Sequence, residues 1–108
     1  MKKAIRLSGP ALLTNSAATK YTVSSGEAVV LKHMHVSNPG GGSAATLFVS
    51  IGSDAAGTRI HDAYSVAAGG YLDLWCMYPM VAGEILQAYS GTNNVLTFTA
   101  SGDLITLG

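Results

Sequence analysis

Ala45-Thr46-Leu47-Phe48-Val49-Ser50-Ile51 is the stretch on which the fold turns. Ala45, Leu47, Val49 and Ile51 fall on one side of an extended chain, and Thr46, Phe48 and Ser50 on the other. Period two is the spacing of a strand with one face against a core, whereas a helix needs apolar residues three and four apart. The turn chemistry that follows, Asp54-Ala55-Ala56-Gly57-Thr58, supports this reading. Asp bonds its own backbone there, and Gly is free to take positive φ.

The same grammar extends in both directions. Ala4–Leu7 reads as a strand stopped by Gly9-Pro10, with Ala11–Thr14 a short strand after it. Tyr21–Val23 is closed by Ser24-Ser25-Gly26. Ala28–Ser37 is the longest run, ended by Asn38-Pro39-Gly40-Gly41-Gly42. Arg59–Tyr64, Tyr71–Met77 (stopped before Pro79), Glu84–Tyr89, Val95–Ala100 and Leu104–Leu107 follow. Ala67-Ala68-Gly69-Gly70, Gly91-Thr92-Asn93-Asn94 and Ser101-Gly102-Asp103 serve as turns. Glu84–Ala88 has fair helix propensity but is too short to hold a helix alone. Short strands separated by regular turns predict an all-β, single-domain antiparallel β-sandwich over residues 1–108. It should be jelly-roll-like, with eight to nine short strands and residues 1–14 as an N-terminal arm. An immunoglobulin-like sandwich ranks second, because Trp75 has no flanking cysteine pair. The expected core is Val30, Leu47, Val49, Ile51, Leu72, Leu74, Leu96 and Phe98.

Composition asks for a partner. Of the 108 residues only 11% are charged, and the formal net charge is zero. Soluble domains usually carry about 25% charged residues. Mean hydropathy is +0.33. A lone globule with such a surface tends to associate, so much of it is expected to be buried in an assembly. Lys and Arg balance Asp and Glu without a basic cluster, which argues against nucleic acid as a partner. No run approaches the ~18 apolar residues of a membrane span. Met1-Lys2-Lys3 imitates the start of a signal peptide, but Arg6, Ser8, Gly9 and Pro10 break any apolar stretch. Synthesis in a cytoplasm is therefore expected. Cys76 is the only cysteine, so no intrachain disulfide forms. Its apolar strand-like setting predicts a buried core thiol.

Chemistry-bearing residues are few. His33-Met34-His35 puts two imidazoles on one face of a strand, about 6–7 Å apart. The pair is the weak candidate for a metal, which would need further ligands. His61 beside Asp62 is the other histidine segment. Asp54 and Asp103 lie in turn sequences, and Glu27 and Glu84 follow glycines. Asp62 and Asp73 lie inside strands, where they are expected to pair with Arg59 or a histidine across strands or subunits. Gly-x-Ser-x-Gly is absent, and Gly40-Gly41-Gly42 lacks the Lys-Ser/Thr of a phosphate loop. No catalytic residue or cofactor is expected. Tyr71, Trp75 and Tyr78 suit either an interface or, as an alternative, a carbohydrate platform. Ile5, Leu7 and Leu12 complete the expected interface residues.

Several phrases resemble small structural proteins of tailed phages. They are Gly9-Pro10-Ala11-Leu12-Leu13-Thr14 with Tyr21-Thr22-Val23, His35-Val36-Ser37-Asn38-Pro39, Ser50-Ile51-Gly52 with Asp54-Ala55-Ala56-Gly57-Thr58-Arg59-Ile60, and Gly91-Thr92-Asn93-Asn94-Val95-Leu96. These are turn and strand phrases, not catalytic signatures. The resemblance implies a non-enzymatic virion component made in the host cytoplasm. It would be a capsid decoration (cement) protein contacting the major capsid protein or other virion proteins, or else a tail, neck or fibre-associated subunit. It also implies a homo-oligomer, most often a trimer.

Overall fold

Every element in the computed structural model, which describes residues 2–39 and 43–107, is a β-strand. The strands are β1 (Lys2–Leu12), β2 (Ala18–Thr22), β3 (Glu27–Ser37), β4 (Ala45–Ile51), β5 (Arg59–Val66), β6 (Tyr71–Val81), β7 (Ile85–Ser90) and β8 (Thr97–Thr106). One sheet has the order β1-β8-β3-β6 and the other β2-β7-β4-β5. All pairings are antiparallel. The pairs β1·β8, β2·β7, β3·β6 and β4·β5 are nested, as if one long hairpin with β4 and β5 at its tip had been rolled up. This is the eight-stranded jelly roll expected from the turn spacing.

The inner faces of the two sheets make the core. From the first sheet come Leu7, Val29, Leu31, Met34, Val36, Met80, Phe98 and Ala100, and from the second Ala45, Leu47, Val49, Val66, Leu86 and Ala88. Leu13, Val23 and Leu96 close it from the connecting segments. The alternation of β4 holds, with Ala45, Leu47 and Val49 buried and Ile51 packed half-buried against the core. Leu72 and Leu74 also point inward but stay half-buried, because β6 is an edge strand. Val30 is corrected. Alternation cannot be read in the unbroken apolar run Ala28–Leu31, and the structure turns Val29 and Leu31 inward and Val30 outward.

Three expected stops are not stops. Gly9-Pro10 lies inside β1, where Gly9 has a φ of 79° and the register with β8 shifts on either side of Ser8. Ser101-Gly102-Asp103 lies inside β8, so the last two expected strands are one. A side chain at Gly102 would overlap the Val30 carbonyl oxygen, and glycine is what lets β3 and β8 approach here. Pro79 lies inside β6 opposite Val30, at a sheet edge where a missing N–H is tolerated. The residues expected as an arm form, from Lys2 to Leu12, the edge strand β1 of the chain's own sheet. The segment Gly40-Gly41-Gly42 lies outside the described residues. Its neighbour Asn38 is fully buried, and its side-chain amide donates to the carbonyls of Ser43 and Val66 at 2.9 and 3.2 Å.

Candidate interaction face

Strand β6 alternates along its whole length. Leu72, Leu74, Cys76, Tyr78 and Met80 turn toward the core, and Tyr71, Asp73, Trp75, Met77, Pro79 and Val81 turn to solvent. Trp75 is 75% exposed, Met77 72%, Tyr71 65% and Val81 62%. These four line one face of one edge strand, so they form an apolar ridge, interrupted by Asp73, and not scattered surface residues. Polar residues usually guard such an edge.

The one charged group on the ridge is hydrogen-bonded from β3. Asp73 Oδ1 lies 2.7 Å from His35 Nδ1 and 2.9 Å from His33 Nε2. Those hydrogen bonds, His35's first, hold the Asp73 carboxyl below the usual carboxylate range. His33 stacks on Trp75 with ring centroids 4.0 Å apart, and His35 on Tyr71 at 5.5 Å. The expected pairing of Asp73 with histidine is therefore present, within one chain and across two strands. Each imidazole spends a ring nitrogen on the carboxylate. Among the described residues no group of three or more His, Cys, Asp or Glu is arranged to hold a metal ion.

Strand register places Arg6, Ser101, His33 and Trp75 in one row across all four strands of the sheet. At ~4.8 Å per strand the row is about 14 Å long, with a cation at the β1 edge and an indole at the β6 edge. The row crosses a shallow groove of about 360 Å³ lined also by Ala4, Lys32 and Asp103. Asp103 is corrected from a turn to a strand position. Its carboxylate is nearly buried and bonded to Lys32, with Lys2 at 3.7 Å, and the Lys32 ammonium draws its pKa down. Arg6 is exposed and takes part in no ion pair among the described residues.

The opposite face is different. Arg59 on β5 donates to both Asp54 oxygens, to Asp62 at 3.0 Å and to the Tyr89 hydroxyl at 3.0 Å. Phe48 and Tyr89 stack 4.5 Å apart beside it, and the guanidinium lies over Phe48. Its polar groups are satisfied internally, which makes it a brace for the β4–β5 connection. Asp62 pairs with Arg59, but within β5 and not across strands or subunits as expected, and Asp54 adds the stronger, two-pronged contact. His61 packs edge-on to Tyr64, and burial lowers its pKa.

Of the expected interface residues, Tyr71, Trp75 and Leu12 are exposed. Leu7 is corrected: it turns into the core and cannot meet a partner. Ile5 and Tyr78 are half-buried against the core. Tyr78 lies on the other face of β6 from Tyr71 and Trp75, so the three do not form one carbohydrate platform. Met77 and Val81, absent from the expected set, complete the ridge. Continuing the alternation of Tyr71–Met77 past Pro79 would have found Val81. Cys76 is half-buried, and its thiol donates to the Leu31 carbonyl at 3.5 Å. Burial pushes the thiol pKa up, opposite to what a nucleophile needs.

No family model and no curated protein matches the chain. Among solved structures, it is similar to the subviral particle of infectious bursal disease virus VP2, with 11% identity and a TM-score of 0.49. That match covers 96% of this chain and 32% of the viral one. It is also similar to a pentameric capsid protein isolated from metagenomic phage sequences, with 20% identity and a TM-score of 0.37. This second match covers 95% of this chain and 62% of that one. The chain thus spans about a third and under two thirds of the proteins it resembles in shape.

Proposed function

We propose that the chain is a non-enzymatic structural subunit of a virus particle, in the first instance a capsid decoration protein of a tailed phage. The observation that carries this reading is the apolar ridge of Tyr71, Trp75, Met77 and Val81 on an unpaired edge strand. A ridge of this kind is at home when another protein covers it. The jelly roll recurs in viral capsid and lectin domains, and the strand and turn phrases resemble small phage structural proteins. Low charge suits a surface that assembly buries. Two polar clusters, His33-Asp73-His35 and Arg59-Asp54-Asp62, are tied together by their own hydrogen bonds, and a third holds Asp103 between Lys32 and Lys2.

The test is to locate the chain in particles of the virus that encodes it, by cryo-EM with quantitative mass spectrometry of purified virions. A copy number matching the symmetry axes of the shell is expected. A copy number matching a tail or fibre would move the chain to that part of the particle. Absence from virions would overturn the reading.

A further inference from the structure

The two edges of the β1-β8-β3-β6 sheet differ in chemistry. At the β6 edge stand the apolar ridge and the exposed indole of Trp75. At the β1 edge, Lys2, Ala4 and Arg6 are exposed. Lys2 lies near Asp103, while Arg6 has no ion-pair partner among the described residues. Arg6 and Trp75 are the two ends of the same four-strand row.

We propose that β1 of one copy of this chain pairs with β6 of the next, joining copies head to tail into a ring, with Arg6 of each copy over Trp75 of its neighbour. The proposal rests on the reading of the chain as an assembly subunit and names what covers its ridge. Three observations favour a second copy as the occupant. Strand directions alternate across the sheet, so β1 of another copy set beside β6 continues the antiparallel pattern. The match is chemical as well: a guanidinium meets the face of an exposed indole, a favoured cation–aromatic pair. Charge agrees too: the one ridge charge, Asp73, is opposite in sign to the Lys2 and Arg6 side chains that the β1 edge brings. Contacts between unlike edges generate rings when the rotation closes, and the inherent twist of a sheet turns each added copy relative to the last.

The experiment uses the full chain and native mass spectrometry with sedimentation velocity. One variant, Trp75→Lys with Met77→Lys, blocks the β6 edge. The other, Arg6→Glu, blocks the β1 edge by removing the cation and bringing a carboxylate toward Asp73 of the neighbour. All three positions are exposed in the single chain, and unfolding midpoints check that each variant folds. If the double variant fails to fold, Met77→Lys alone takes its place. Wild type is expected as a closed ring and each variant alone as a monomer. The two variants mixed should associate, because the intact β1 edge of one meets the intact β6 edge of the other. A ring is overturned by a folded wild type that stays monomeric, by an Arg6→Glu chain that assembles like wild type (the mark of β6 pairing with itself), or by a mixture that does not associate. A wild type that is monomeric in solution yet present in virions overturns the ring and leaves the proposed function standing. A ring that is absent from virions does the reverse.

Discussion

Trp75 lies against His33 with ring centroids 4.0 Å apart and planes 24° from parallel. One face of the indole is covered by the imidazole, and the side chain is still 75% exposed. Its contribution to the stability of the single chain is therefore limited to a stacking contact. Trp75→Ala should lower unfolding free energy by no more than about 1 kcal/mol, measured by urea unfolding of dilute protein. A larger loss would mean that the ridge holds the monomer together.

Asp73 adds a pH dependence whose sign follows from its lowered pKa. A carboxyl whose folded pKa lies below its unfolded value, about 3.9, stabilises the fold above that value. That stabilisation is lost as pH falls through the folded value. Asp73→Asn should thus destabilise at neutral pH through the lost bonds to His35 and His33. The difference between wild type and variant should shrink once pH drops well below 4. Urea midpoints of both proteins at neutral pH and at about pH 2 check it, and a constant difference would exclude the effect.

Leu47 and Leu74 separate a core strand from an edge strand. Leu47 is fully buried and Leu74 half-buried. Leu47→Ala should cost about 2–5 kcal/mol, and Leu74→Ala clearly less, because β6 has only one neighbour and can relax around the gap. Equal losses in denaturant unfolding would contradict this placement.

Gly102→Ala should be among the most damaging single changes, since the added methyl overlaps the Val30 carbonyl oxygen and crowds Leu31. Gly57→Ala is the control, because a methyl there meets nothing within 4 Å. Thermal unfolding should show a large loss for the first and little change for the second.

Ala63 has a φ of 54° where two residues of β5, Asp62 and Ala63, bulge opposite Phe48 of β4. An L residue pays about 1–2 kcal/mol in the left-handed region and glycine does not. Ala63→Gly should therefore leave stability unchanged or raise it by up to about 1 kcal/mol, despite the greater freedom of glycine when unfolded. Loss of stability in differential scanning calorimetry would count against the strained geometry.

What could be read in advance followed local rules. The alternation of Ala45–Ile51 and Tyr71–Met77 was legible because each strand has one face on the core. Gly9-Pro10, Pro79 and Ser101-Gly102-Asp103 misled because glycine and proline punctuate a chain only where no partner strand gives them a use. Here a bulge, a sheet edge and a close backbone approach supply that use. Val30 misled because a run without polar residues carries no parity. At the candidate face, Asp73 with a histidine was foreseeable from charge scarcity. The row from Arg6 to Trp75 was not, since it depends on the register of four strands far apart in the chain.

Cys76 gives the β3–β6 pair a built-in clock. Its thiol is the only one in the chain, and it is half-buried with its hydrogen bond to Leu31 of the neighbouring strand. Where β6 peels away from β3 that bond is lost and the sulfur is bared, so a thiol reagent should label it faster there than in the closed sheet. The labelling rate of the native protein thus rises with the opening of that edge, and anything seated along β6 should slow the clock without touching the sulfur.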